Sequence, residues 1–133
     1  MQVVLNQPAV VLLPELSFGN FDNNDSVLAI LEYLNNNYRT ITLSFLSQFF
    51  GYNESYMSRL IKKVTGMTFS QLIRAIRISH GVQMLECTEF PLQKISDIVG
   101  YSDIGSFARA FKQEKGTGPK DYRDKKKRHM QTN

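Results

Sequence analysis

Two arginines fifty residues apart occupy the same place in matching strings, Met57-Ser-Arg59-Leu-Ile-Lys62 and Phe107-Ala-Arg109-Ala-Phe-Lys112. A guanidinium is a planar fork of donors that stays charged, and the fork matches the N7 and O6 acceptors of guanine or two oxygens of a phosphate. Arg59 and Arg109 are therefore the first candidates for contacts to base edges. Ser55, Tyr56, Ser58 and Ser106 are placed to add hydrogen bonds to base edges or phosphates. Lys62, Lys63 and Lys112 suit phosphate neutralisation, which adds affinity and salt dependence without selecting sequence. Gly105 stands where Ser55 stands in the first string and offers no side chain. Helix N-termini expected near Thr42 and Leu92 would present backbone N–H groups to phosphate as well.

Other chemistries lack their residues. No glycine loop of phosphate-binding pattern, no metal-ligand cluster and no nucleophile with a recognisable base is present, so neither catalysis nor a cofactor is expected. Cys87 is the single cysteine, without a disulfide partner or activating neighbours, and a reducing cytoplasm is the expected setting. His80 and His129 are isolated. The apolar opening is cut by Pro8 and Pro14 well short of a membrane span, so neither a signal peptide nor a transmembrane helix is expected.

The charge is unevenly spread. Residues 1–38 hold four acidic and no basic side chains, net −4, while residues 39–133 hold sixteen basic and eight acidic ones, net +8. The later part is the one suited to a polyanion.

These side chains need rigid elements, and the apolar spacing supplies helices almost throughout. Strands are plausible only within the first 20 residues, where Val3, Val4, Leu5 and Val10 to Leu13 cluster between prolines. A first helix is expected from the cap candidate Ser26, burying Val27, Leu28, Ile30, Leu31 and Leu34, and ending in the Asn35–Asn37 run. A second, capped by Thr42, turns Leu43, Leu46, Phe49 and Phe50 inward and stops at Gly51. A third, capped by Asn53, runs over Glu54 to Thr65 with Met57, Leu60, Ile61 and Val64 buried, and Gly66 ends it. A long helix from Ser70 to Glu86 is anchored by Leu72, Ile73, Ile76, Met84 and Leu85. Gly81 in its interior costs roughly 0.8 to 1 kcal/mol against Ala, which points to a close neighbour.

The chain then repeats itself. Leu46-Ser-Gln-Phe-Phe-Gly-Tyr-Asn53 aligns with Ile95-Ser-Asp-Ile-Val-Gly-Tyr-Ser102 at an offset of 49, and the arginine strings follow at an offset of 50. Each copy is a short helix, a glycine turn and a second helix, the pattern whose second helix enters a DNA major groove. Ser47 and Ser96 keep the crossing helices close; Gly51 and Gly100 allow a positive φ in the turn. Tyr52, Tyr101, Phe107, Phe111 and Tyr122 are expected in the core. Gly118-Pro119 opens a last helix with proline at its first position.

These stretches, with Gly51-Tyr-Asn-Glu-Ser-Tyr-Met-Ser-Arg-Leu-Ile-Lys-Lys-Val-Thr-Gly66, Ile95-Ser-Asp-Ile-Val-Gly-Tyr-Ser-Asp103, Ser106-Phe-Ala-Arg-Ala-Phe-Lys112 and Gly116-Thr-Gly-Pro-Lys-Asp-Tyr-Arg123, resemble the DNA-binding domain of the AraC/XylS family of bacterial transcription regulators. The resemblance covers about residues 26–124. It implies an all-α fold of about seven helices forming two helix-turn-helix subdomains, 26–69 and 87–124, joined by a linker helix over 70–86. It further implies recognition helices set into successive major-groove segments of double-stranded DNA, and RNA polymerase as a partner if the protein activates. Relatives often carry Ala where Ser47, Ser96 and Gly81 stand here, and larger base-reading side chains where Ser55 and Gly105 stand. Residues 1–25 form an extension, too short for the sensor or dimerisation domain that relatives often carry and readable as the remnant of one; residues 125–133 form a basic tail. The expected function is sequence-specific transcription regulation, the alternative a helical protein-interaction domain that has lost specific DNA reading. An alkyl-transfer role on a related domain is disfavoured by the unactivated Cys87.

Overall fold

The structure, a computed structural model, describes residues 24–131. The strands considered for the first 20 residues and most of the N-terminal extension lie outside that range. Seven helices follow one another among the described residues: α1 Asn24–Asn37, α2 Leu43–Phe50, α3 Glu54–Thr65, α4 Phe69–Cys87, α5 Leu92–Val99, α6 Ile104–Lys115 and α7 Pro119–Gln131. The contacts divide the chain into two units between Ile76 and Arg77, within α4.

The local signals explain most boundaries. Thr42 Oγ1 accepts from Phe45 N at 3.1 Å, Asn53 Oδ1 from Tyr56 N at 2.8 Å and Asp103 Oδ1 from Ser106 N at 2.7 Å, each satisfying a donor that a helix start leaves over. Thr68 and Gln71 exchange hydrogen bonds, Gln71 N to Thr68 Oγ1 at 3.1 Å and Thr68 N to Gln71 Oε1 at 2.9 Å. That reciprocal pair starts α4 at Phe69, one residue before the expected Ser70. α1 begins two residues before Ser26, which is an interior residue of the helix and not its cap.

In the first unit, Val27, Ile30, Leu31 and Leu34 of α1 meet Leu46 of α2, Met57, Ile61 and Val64 of α3, and Leu72, Ile73, Ala75 and Ile76 of α4. Two expected core residues fall outside it, Leu28 at 41% exposed and Phe49 at 57%, while Leu43, Phe50 and Leu60 are partly buried and pack against it. On α2 the inward stripe is Leu43, Leu46, Ser47 and Phe50, the i, i+3, i+4, i+7 set, so Phe45 and Phe49 pair on the flank with rings 6.2 Å apart. Phe49 stacks on Tyr33 at 4.4 Å.

In the second unit, Ile78, Leu85, Ile95, Val99, Phe107 and Phe111 are buried, while the expected anchor Met84 is half-buried. The Phe107 and Phe111 rings stand edge to face at 5.8 Å, and Tyr122 continues the series at 5.5 Å from Phe111. Tyr101 and Tyr122, expected in the core, are half-buried, as is Tyr52, which packs against the core of the first unit. Gly81 faces Phe107: a Cβ there would come within 3.1 Å of Phe107 Cε1. The residues expected as a tail, Lys125 to Arg128, lie on α7, which runs on to Gln131.

Candidate nucleic-acid interface

Each unit carries a two-helix motif whose parts are set by a few residues. Gly51 (φ 77°) and Gly100 (φ 103°) take the left-handed conformation that ends α2 and α5, which L side chains adopt only at a cost of about 1–2 kcal/mol. Ser47 and Ser96 are buried where the expected small residues belong. Their hydroxyls take different partners: Ser47 Oγ donates to Leu43 O of its own helix at 2.8 Å, whereas Ser96 Oγ donates to Asp103 O at 3.0 Å and so ties α5 to the start of α6.

α3 presents Ser55, Arg59, Lys62 and Lys63 as exposed side chains, with Ser58 half-buried. Tyr56 is also half-buried, its ring 4.8 Å from that of Tyr52, so its phenol is partly committed to the turn. Lys62 Nζ donates to Gly66 O at 3.0 Å, reinforcing the end of its own helix. Ammonium groups in the last turn complement the helix dipole, and this contact is exposed enough to exchange for a phosphate.

α6 presents Gly105, Arg109 and Lys112 as exposed, with Ser106 half-buried. The structure brings three of these residues together around one that the spacing argument passed over. The Asp103 carboxylate caps the helix, and Arg109 Nη2 donates to Ser106 Oγ at 3.3 Å. The backbone N–H of Ser106 and then its hydroxyl hold the Asp103 carboxyl below the usual range against some desolvation, with lesser help from the Arg109 charge and the Ser102 hydroxyl. Asp103 is not among the basic and hydroxyl groups expected from the sequence; its signal there is an N-cap residue type three before Ser106. The N-terminus of α5 lacks a side-chain cap at Pro91, whereas that of α2 is capped by Thr42.

Two capped helices, each leading with an exposed arginine after a glycine turn, define a double helix-turn-helix DNA-binding domain. A helix-turn-helix domain family model matches residues 46–125, and the chain belongs to the AraC-type helix-turn-helix family. An uncharacterised HTH-type transcriptional regulator of Staphylococcus aureus is 31% identical over 102 residues, 76% of this chain and 14% of that protein. The raffinose operon transcriptional regulatory protein RafR of Pediococcus pentosaceus is 31% identical over 94 residues, 70% of this chain and 34% of its own length. The chain thus spans well under half of these relatives. Among solved structures, the C-terminal domain of AraT, a response regulator from Geobacillus stearothermophilus, superposes with a TM-score of 0.73 at 29% identity, over 79% of this chain and 88% of that one.

Proposed function

We propose that this chain binds double-stranded DNA sequence-specifically as the reading part of a transcription regulator, α3 and α6 each entering a major groove. The observation that supports this most directly is the duplicated motif with Arg59 and Arg109 exposed at equivalent positions of capped helices. Arg59 and Arg109 read base edges, and Ser55, Ser58 and Ser106 supplement them. Tyr56 contributes its hydroxyl alone, because its ring is spent on Tyr52. Lys62, Lys63 and Lys112 neutralise phosphates. Gly105 makes no contact of its own. A regulator of this kind acts in the cytoplasm, and one that activates also meets RNA polymerase. No helix among the described residues is long and apolar enough to cross a membrane.

Selection of binding sites from random duplex DNA tests the reading. The expected site has two blocks of preferred bases, with Arg59→Ala relaxing one and Arg109→Ala the other, each costing about 1 to 3 kcal/mol. Across a salt series, Lys62→Ala, Lys63→Ala and Lys112→Ala should weaken binding to all sequences alike and lower the salt slope by about 1 apiece. Uniform weak binding without an enriched sequence would overturn the proposal in favour of a protein-interaction domain.

A further inference from the structure

The two arginines sit at equivalent positions but are prepared differently. At Arg59 the neighbouring cap is the neutral Asn53, position 55 carries a serine, and the place of Ser106 is taken by Tyr56, whose ring packs on Tyr52. At Arg109 the cap is a carboxylate, position 105 is bare, and Ser106 accepts from the guanidinium. A Cβ at Gly105 would lie 3.3 Å from Asp103 Oδ1 and 3.5 Å from Arg109 Nη1, so the acid and the guanidinium border the same vacant space over the first turn of α6. Gly105 has no positive φ that would require glycine. Its lack of a side chain therefore matters for the room it leaves, and not for the backbone.

We propose that Gly105 and Asp103 are positioning residues for DNA reading by α6: the bare Cα at 105 leaves the Asp103 carboxylate its place on the cap, and that carboxylate, together with Ser106, holds the Arg109 guanidinium over the first turn. The inference rests on the DNA reading proposed above. The physical gain is preorganisation. A long side chain already confined loses less freedom when it meets a base pair, and a guanidinium with one donor on Ser106 keeps others for guanine. Asp103 also has an opposing effect, because a carboxylate near the phosphates repels them at every sequence. The pair exchanges overall affinity for selectivity; α3 has a neutral cap but carries the exposed Glu54 carboxylate in its first turn, so the helices differ in the acid's place beside the arginine and not in its presence.

Two variants separate this role from a structural one. Asp103→Asn keeps the cap, since Asn and Asp cap helices about equally well, while removing the charge. Gly105→Ala keeps the charge but sets a Cβ 3.3 Å from Asp103 Oδ1, so the capping carboxylate must give by a few tenths of an ångström, while Arg109 Nη1 at 3.5 Å stays in ordinary contact. In site selection run beside thermal melts, both variants should lose about five-fold or more of the base preference in the block read by Arg109, with the block read by Arg59 unchanged. Asp103→Asn should in addition bind a shuffled duplex more tightly than the wild type. Gly105→Ala should melt no lower, because alanine favours the helix and offsets a slightly shifted cap. Unchanged preference in both variants, beside a wild type that selects two blocks, overturns the proposal alone. Loss of both blocks together with a lowered melting temperature assigns the pair a structural role and overturns it too. A wild type that enriches no sequence overturns the DNA reading, and this inference with it.

Discussion

Gly81 shows how a single missing side chain sets the second unit. It lies in the interior of α4, where glycine is unfavourable, and the compensation is the Phe107 ring against its Cα. Phe107 is fully buried, with an edge contact to Phe111 and a tilted one to Tyr101. A branched side chain at 81 would have to displace a ring that has nowhere to go. Gly81→Val is expected to destabilise the unit by about 1–3 kcal/mol, and Phe107→Ala by about 3–5 kcal/mol through the cavity it leaves. Urea unfolding checks both, and wild-type stability in either variant would refute the packing account. At Gly105, on the surface, the tight neighbour of a Cβ would be the Asp103 carboxylate and not a ring.

Among the elements, α7 extends beyond the part that its sequence advertises. Its mean hydropathy is low, so it does not announce a buried face. What fixes it is Arg123, whose guanidinium donates to Phe90 O at 2.7 Å, Thr88 O at 3.1 Å and Leu85 O at 3.3 Å. These carbonyls belong to the end of α4 and the turn after it, where no later residue of the helix can satisfy them. Tyr122 adds a hydrogen bond from its hydroxyl to Glu86, and burial together with that bond pushes the phenol up to about 12. The ion pairs of Lys126 with Glu86 and Lys127 with Glu89 are exposed and contribute little. Arg123→Ala should therefore cost about 1.5–3 kcal/mol by orphaning carbonyls, and truncation after Gly116 should cost more because Tyr122 goes as well. Thermal melting of the two variants decides it: a truncated chain as stable as the intact one would show that α7 adds nothing to the second unit.

For the molecule as a whole, net charge and pH set the working range. The net charge of +4 is concentrated after residue 38, so attraction to DNA is expected to fall steeply with salt. Stability should fall on mild acidification, and His80 on α4 is the reason. Burial holds its imidazole below the usual value, so the folded state resists a proton that the unfolded chain accepts. Where the unfolded state binds more protons, stability rises with pH. The contribution is thus complete above the ordinary histidine value near 6.5 and is lost as pH drops toward the depressed folded one. Melting temperatures taken from about pH 7.5 to about pH 5.5 should decline, and His80→Gln should flatten that decline. A wild-type profile that is flat, or a variant as steep as the wild type, would contradict the assignment.

The seven helices, the caps at Thr42 and Asn53, the glycine stops and the repeat were legible in the sequence, because helical period and capping are local: each depends on residues within about one turn. The exposed faces of α3 and α6 followed from the same period, and with them Arg59, Arg109 and the lysines. What only the tertiary structure decided was which member of an apolar cluster turns inward and which polar groups meet. Phe49 was expected in the core and stacks on Tyr33 outside it, since a short helix so rich in apolar residues offers more than one stripe. Ser47 and Ser96 are the same residue at the same place in the repeat, yet only Ser96 reaches across to Asp103. Arg59 and Arg109 are likewise equivalent in the repeat. Their difference lies partly in the bare residue and the charged cap, which are written in the repeat, and partly in the partners taken on folding: Ser106 accepts from Arg109, whereas Tyr56 packs its ring on Tyr52.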